Sequence, residues 1–327
     1  MLGCTLLAVA ACDSSEPESP PTPSEPARLF LAGDGELTVV DVDAAQATVH
    51  RVPELAPGDP RYRIVRRADQ LVLFGFDTYV VDVDLSSPPR KLGDSWFFIP
   101  GAEPDRVWLT ELDPASPETE RALAAVREVS VDGHATFPGV RPPGGRWPAA
   151  AAGNALVFED GKGGLELWNP ATGEFTLRLP GAELGPSQGD FLAWCEREGA
   201  SLHVTDIRSG GDQTIDPPAG FAALECQSGA FSPDGATLAV AVALEVGALE
   251  AERTLALVDL EDGVATPVEG SSIHPHYGFV AWSAEGDRVF TTGGSPAERR
   301  LLQYRLGEPS AVSIPVRVRD FYGMAAR

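Results

Sequence analysis

The chain has 327 residues and a formal net charge of −23, with 48 acidic residues against 25 basic ones. This balance argues against nucleic acid as a partner, because phosphate binding needs clustered basic residues, and the only two lysines are Lys91 and Lys162. The chain is long enough to bury a large core without staples, and its acidity favours solubility through repulsion between molecules.

Residues 1–12 form a short apolar segment that ends in small residues, which is typical of a signal sequence. The segment is too short for a membrane-spanning helix. Its end, Val9-Ala10-Ala11-Cys12, resembles a bacterial lipobox. The resemblance implies cleavage before Cys12, which then carries the lipid. We therefore expect a lipoprotein signal peptide over residues 1–11, and a plain secretory signal is the alternative interpretation.

Residues 12–26 begin with the lipidated cysteine and continue as a segment rich in proline, serine and glutamate. Such a composition cannot build a core and is typical of an extended tether. A lipid, a tether and a globular domain over residues 27–327 form a consistent order of parts. They predict a protein of the bacterial cell envelope, on the periplasmic or cell-surface side, that meets the membrane through its N-terminal lipid only.

The globular part begins with three strand patterns, over residues 28–32, 37–42 and 48–52. They correspond to the second, third and fourth strands of a four-stranded unit whose first strand is missing. We expect the chain's end, residues 318–324, to supply that strand and so remove both open edges.

The same unit recurs along the chain, and its clearest marker is an apolar residue followed by a polar residue and a turn. The seven copies lie about 44 residues apart on average, and propeller blades repeat at about 40–45 residues. The marker's polar residues are Asp41, Asp82, Ser130, Asn169, Asp206, Asp259 and Arg305. We therefore predict an all-β fold: a seven-bladed β-propeller with four-stranded antiparallel blades, closed by the C-terminal strand in the N-terminal blade.

The most regular copy lies between residues 226 and 270. Ser232-Pro233-Asp234-Gly235 has the residues of a tight turn. The apolar run Leu238–Leu244 follows without alternation, which indicates a strand covered on both faces. Its alanines imply that the covering layers come close.

Three segments resemble known propeller families. Leu165–Glu174 is similar to the third-strand signature of WD-repeat proteins. Phe231–Gly235 and Ala281–Asp287 resemble the first turn of TolB-type and YVTN-type bacterial propellers. The Gly-His pair common in WD repeats is absent, which favours the TolB-like branch. The resemblance covers residues 27–327 and implies an architecture rather than a function.

Loops carry the functional differences between propellers. Two predicted connections from a second to a third strand are long, at residues 112–125 and 245–253, and the links between blades share their face. These links carry aromatic, cationic and imidazole groups. We hypothesise a binding face that includes Arg61, Tyr62, Arg141, Arg146, Trp147, His274, His276 and Tyr277. The alternative is that these loops merely tolerate insertions.

Two cysteines remain after the expected processing. Cys195 falls in the second strand of blade 5 and Cys226 in the first strand of blade 6. Adjacent blades pack face to face, so a disulfide is possible in an oxidising compartment. Two buried small residues are the other interpretation.

No metal or cofactor is predicted. His274 and His276 can offer two ligands, but no Cys, Asp or Glu set with ligand spacing accompanies them. Two aspartate pairs lack the glycine and glutamate of an EF-hand loop, and we interpret them as closures of strand ends: Asp41 with Asp43, and Asp82 with Asp84.

No catalytic motif is present either. The chain has no Gly-x-Ser-x-Gly elbow, and Gly161–Gly164 lacks phosphate-loop spacing and falls in a predicted hairpin turn. We therefore expect a monomeric, non-catalytic scaffold that binds an envelope protein or peptide. The alternative is a propeller-type lyase or hydrolase that acts at the axial pocket on the loop-rich face.

Overall fold

A computed structural model of the protein describes residues 26–33, 35–52, 63–67, 69–75, 77–94, 99–113, 123–197, 199–245, 253–273, 278–294, 299–318 and 321–327. Blade 1 consists of β1 (Arg28–Ala32), β2 (Glu36–Asp41), β3 (Gln46–Arg51) and β28 (Gly323–Ala326). Blade 2 consists of β4 (Arg63–Arg67), β5 (Gln70–Phe74), β6 (Asp77–Asp82) and β7 (Arg90–Asp94). Blade 3 consists of β8 (Ile99–Pro100), β9 (Arg106–Leu112), β10 (Leu123–Ser130) and β11 (Ala135–Val140).

The remaining blades follow in chain order. Blade 4 consists of β12 (Ala150–Ala152), β13 (Ala155–Glu159), β14 (Leu165–Asn169) and β15 (Glu174–Leu179). Blade 5 consists of β16 (Ala182–Gln188), β17 (Phe191–Glu196), β18 (Leu202–Asp206) and β19 (Asp212–Ile215). Blade 6 consists of β20 (Ala223–Phe231), β21 (Thr237–Ala243), β22 (Thr254–Asp259) and β23 (Val264–Pro267). Blade 7 consists of β24 (Val280–Trp282), β25 (Arg288–Gly293), β26 (Arg300–Arg305) and β27 (Val312–Ile314).

The seven sheets form a ring with one strand of each blade at its centre. Each blade is an antiparallel meander in which neighbouring strands are hydrogen-bonded. Innermost strands of successive blades contact one another, from β8 through β12, β16, β20, β24 and β28 to β4. The predicted seven-bladed β-propeller is confirmed. Within the described segments, the helical structure is a 3₁₀ turn at Pro143–Gly145, and no helix there is long and apolar enough to cross a membrane.

The C-terminal strand closes the ring, as predicted, but begins later than the sequence pattern indicates. In β28, Gly323 pairs with Ala32 and Ala326 with Leu29 of β1. The predicted strand covered residues 318–324, whereas β28 spans Gly323–Ala326. The apolar residues ahead of it have another role, because Phe321 is buried in the cluster between blades 7 and 1.

At the ends of four third strands, the recurring polar residue has a local structural cause. Side-chain Oδ1 atoms accept hydrogen bonds from the backbone of the following turn, as Asp41 does from Ala44 at 2.9 Å and Asp259 does from Glu261 at 2.8 Å. Asn169 and Asp206 make the same contact. An aspartate or asparagine therefore closes the turn by itself, which agrees with the structural interpretation of these aspartates.

The core is divided into clusters that lie between neighbouring blades. In β21, Leu238, Val240 and Val242 pack towards blade 5, whereas Ala239 and Ala241 pack towards blade 7. On the blade 7 side the indole of Trp282 donates a hydrogen bond to the carbonyl oxygen of Ala230, 2.9 Å away. The strand is covered on both faces, and its alanines leave room for the large ring.

The two faces of the ring differ in the connections they carry. Because strands alternate in direction, the connections from second to third strands and the links between blades lie on one side, called the loop face here. The remaining turns lie on the opposite side, called the turn face. On the turn face, Arg288 of blade 7 donates to Asp43 of blade 1 at 2.7 Å and joins the two blades where the ring closes.

Candidate functional site

Three of the predicted binding residues belong to the described part of the loop face. Arg61, Tyr62, His274, His276 and Tyr277 lie outside the described residues, as does most of the two long connections. Arg141, Arg146 and Trp147 lie on the link between blades 3 and 4. Arg141 is exposed, whereas the other two are partly buried.

Arg146 fastens the link to blade 4. Its guanidinium donates to Glu166 Oε2 at 2.5 Å and to the carbonyl oxygen of Glu159 at 2.6 Å, and it lies over the ring of Phe158. Trp147 packs against the apolar cluster between blades 3 and 4. These two side chains therefore shape the wall of the loop face, and Arg141 alone of the three is presented to solvent.

A cleft of about 660 Å³ opens beside this wall, over blades 4, 5 and 6. It extends from the second-to-third connections of blades 4 and 5 to the innermost strand of blade 6. Its lining carries both charges, an amide and a small apolar surface. The lining residues are Glu159, Gly161, Lys162, Gly163, Gly164, Ala182, Glu183, Leu184, Arg197 and Gln227.

The blade 4 side of the cleft is a glycine-rich hairpin turn between β13 and β14. Asp160 Oδ1 accepts hydrogen bonds from the backbone N–H of Lys162 at 2.7 Å and of Gly164 at 2.9 Å. The bonds from Gly164 and then Lys162 lower the pKa of Asp160. Gly161 and Gly163 have φ of 71° and 88°, which L side chains rarely adopt. The sequence therefore fixes a compact turn with Lys162 exposed at its tip.

Arg197 crosses from blade 5 to this turn. A Cβ atom on Gly163 would lie only 2.9 Å from Cζ of Arg197, so the guanidinium rests against bare backbone. Its Nε atom lies 3.7 Å from Oε1 of Glu183. The two cations of the cleft are thus contributed by different blades and lie on the same opening.

The blade 6 side is a large bulge in β20. Glu225 pairs with Ala241 and the next pair is Gly229 with Val240, so Cys226, Gln227 and Ser228 have no partner in β21. Bulges re-aim side chains, and this one presents the exposed Gln227 to the cleft.

The bulge is held on both sides. Cys226 forms a disulfide with Cys195 of blade 5, with the sulfur atoms 2.13 Å apart, and both cysteines are buried. On the other side Ser228 Oγ donates to the carbonyl oxygen of Gly278, 3.4 Å away. Gly185 packs tightly here, since a Cβ on it would lie 3.2 Å from Cβ of Cys226. Gln227 is therefore fixed by its neighbours rather than by the ladder.

Polar side chains near the ends of innermost strands supply connections between blades. Arg67 donates to the carbonyl oxygen of Gly101 in the next blade at 2.9 Å, and burial lowers its pKa to about 10. Gln188 donates to the carbonyl oxygen of Ser232, 2.7 Å away. These side chains tie blades together on the turn face. Across the described residues, no three His, Cys, Asp or Glu side chains are placed to hold a metal.

The cleft itself was missed by the sequence analysis. The assignment of Gly161–Gly164 to a hairpin turn was correct, because β13 and β14 pair directly across it. Arg197 and Glu183 gave no signal, since neither belongs to a motif. The one usable hint was Lys162, which is one of two lysines in an acidic chain and lies among three glycines.

Comparisons with known proteins place the chain by fold. No family model matches the sequence, and no curated protein is significantly similar to it. The solved structure of apo AztD from Citrobacter koseri is 12% identical over 92% of this chain and 98% of its own, with a TM-score of 0.52. A second structure of Citrobacter koseri AztD has the same identity and coverage and a TM-score of 0.50.

A protein of unknown function from Desulfotomaculum acetoxidans DSM 771 is 11% identical over 91% of this chain and 98% of its own, with a TM-score of 0.56. At identities this low, the similarity to these structures establishes the propeller fold alone, without a TolB or WD-repeat identity.

Proposed function

We propose that this protein is a non-catalytic binding module of the bacterial cell envelope and that its loop-face cleft holds part of an extended peptide or protein segment. The observation that carries this proposal is the cleft of about 660 Å³ lined by Lys162, Arg197, two glutamates and Gln227. Its volume lies in the range of about 300–1,000 Å³ that is typical of small-ligand sites, but its lining is more polar than usual for such sites, which suits a hydrophilic ligand. Paired charges beside a free amide suit the groups that a peptide offers.

The ionisable groups favour binding over catalysis. A general acid or base works best with a pKa near the working pH, which for a carboxyl group requires a raised value. The described carboxyl groups with shifted pKa values are all lowered, chiefly by hydrogen bonds: Asp43, Asp84, Asp160, Asp206 and Asp234. Such groups stay ionised: four of them close turns, and Asp43 pairs with Arg288 of blade 7.

The envelope location is supported by the N-terminal sequence. The lipobox-like Val9–Cys12 and the tether that follows fit a domain held at a membrane by a lipid on Cys12. The resemblance to TolB-type propellers and the Cys195–Cys226 disulfide are consistent with an oxidising envelope compartment. Metabolic labelling with an alkyne fatty acid tests the anchor: the native chain should be labelled and Cys12→Ser should not.

The binding function is tested by affinity selection from a soluble library of random linear peptides whose termini are both free. We expect enrichment of peptides whose affinity for the native protein falls at least about fivefold in Lys162→Ala and Arg197→Ala. Arg208→Ala is the matched control. Like Arg197, Arg208 is an exposed cation of blade 5 with an acidic partner, Asp190 at 2.8 Å, but it lies on the turn face. A selection that yields no binder contradicts the proposal, and binders insensitive to both cleft variants place the site elsewhere.

A further inference from the structure

We infer that the cleft recognises the free termini of short peptides, with the α-carboxylate on Lys162 and Arg197 and the α-ammonium on Glu159 and Glu183. The inference rests on the proposed binding function and narrows its ligand to a zwitterionic peptide. Capture of a C-terminal carboxylate or of an N-terminal amine is a recurring mode of peptide recognition, and side chains of both charges line this one opening.

The cationic part of the cleft is suited to a carboxylate. The guanidinium of Arg197 lies close to the bare backbone of Gly163, and more than half of the side chain, 58%, is exposed. A planar guanidinium binds a carboxylate through two parallel hydrogen bonds, and the exposed Lys162 adds a second positive charge.

The anionic part faces the same opening. The backbone of Glu159 is fixed, because its carbonyl oxygen accepts a hydrogen bond from Arg146, while its side chain is exposed. Glu183 lies 3.7 Å from Arg197, which is too long for a hydrogen bond, and 36% of its side chain is exposed. An exposed pair with this geometry contributes little to stability. A zwitterionic ligand can therefore displace this ion pair, because it offers each of the two side chains a stronger charged contact.

Gln227 supplies the group that suits a peptide bond. A side-chain amide can both donate and accept hydrogen bonds, as the peptide unit does. The three-residue bulge that presents it interrupts the ladder of β20, and the disulfide at Cys226 holds it in place. An exposed polar side chain held on a rigid, ladder-breaking bulge is typical of a recognition site.

The charge of the whole protein favours a zwitterion over an anion. The net charge of −23 repels an anionic ligand at long range, whereas a zwitterion carries no net charge. The charges of the cleft balance in the same way, since its lining contains two cations and two carboxylates.

Four tripeptides test the inference: Ala-Ala-Ala with free termini, its N-acetyl form, its C-terminal amide, and the form capped at both ends. Dissociation constants come from NMR titration of the native protein. We expect the free tripeptide to bind most tightly, each singly capped form about tenfold more weakly, and the doubly capped form weakest, since each cap removes one charge-assisted contact.

Two variants assign the termini. Arg197→Gln should lower the affinity for the free and the N-acetylated peptide about tenfold and leave that for the amide within about twofold. Glu183→Gln should lower the affinity for the free peptide and the amide about tenfold and leave that for the N-acetylated peptide within about twofold. Arg208→Gln should change none of the four affinities, and circular dichroism melts verify that each variant is folded. Equal binding of all four peptides, or binding of none, overturns the inference. The proposed function survives that result if the soluble peptide library still yields binders that depend on the cleft. If the library yields none, the proposed function fails together with the inference.

Discussion

Phe321 tests how much the ring depends on its closure. The residue precedes β28, is 2% exposed, and packs in the cluster between blades 7 and 1 with its ring 5.4 Å from that of Phe279. The guanidinium carbon of Arg299 lies 4.8 Å from the ring centroid, and the same guanidinium donates to the carbonyl oxygen of Phe321 at 2.8 Å. The side chain thus joins the last link of the chain to the seventh blade.

Replacing this ring by a methyl group leaves a cavity at the closure. Phe→Ala substitutions in cores cost about 3–5 kcal/mol. Phe279, Val316 and Val318 are only partly buried and can move into part of the space, which favours the lower end of that range. We expect Phe321→Ala to reduce the free energy of unfolding by about 3 kcal/mol and the melting temperature by about 6–12 °C.

The neighbouring residue provides the control. Tyr322 is 38% exposed and has less buried surface to lose, so Tyr322→Ala should cost clearly less than Phe321→Ala. Equilibrium urea unfolding followed by tryptophan fluorescence measures both variants. Equal losses in the two variants, or an unchanged midpoint for Phe321→Ala, would refute the closure argument.

Three further outcomes are expected. The hydrogen bond from Arg288 lowers the pKa of Asp43, so the pair stabilises the fold fully above the ordinary aspartate pKa and loses this effect as pH falls through the lower pKa of the folded state. Because Asp43 is half-exposed, Asp43→Asn should cost only about 1–2 kcal/mol at pH 7, and much less at pH 3. Urea unfolding at both pH values measures the difference. Replacing both disulfide cysteines by alanine should lower the free energy of unfolding by about 3 kcal/mol, because the bond closes a loop with a sequence separation of 31. A clearly smaller loss, measured without reductant, would argue against the bond. Gly163→Ala and Gly173→Ala should each cost about 1–2 kcal/mol, since both positions have positive φ and the tip of Arg197 near Gly163 can move aside. An unchanged melting temperature in either variant would contradict the backbone strain.

The repeat was predictable because its signal is local. A third strand ends where an aspartate or asparagine closes the next turn, as Asp206 does by accepting from the backbone N–H groups of Arg208 and Ser209. That interaction spans three residues and leaves a mark in the sequence at four of the blades, at Asp41, Asn169, Asp206 and Asp259. The antiparallel order of the strands then follows from short connections.

The innermost strands were harder to predict. They pair along one edge only and are short or irregular, as β8 with two residues and β20 with its three-residue bulge illustrate. The start of β28 was placed too early for a related reason. Phe321 gives the same apolar signal whether it pairs in a sheet or packs beside one.

The candidate site could not be predicted from the sequence, because it depends on how side chains of neighbouring blades are placed relative to one another. Lys162 and Arg197 belong to different blades, and nothing in their spacing reveals that the guanidinium crosses to Gly163. Gln227 enters the site only because β20 bulges. Such a site has no motif, since each contributor is an ordinary residue on an ordinary turn or strand.

The most direct test of the central claim, that the loop-face cleft is the binding site, is a hydrogen-exchange footprint of a library-selected peptide on the native protein. We expect slower amide exchange at residues 159–164 and 226–229 on the loop face when the peptide is bound, with no change in the turn-face segments 207–211 and 260–263. Protection confined to the turn-face segments, or the same exchange everywhere with and without a saturating peptide, would contradict the account.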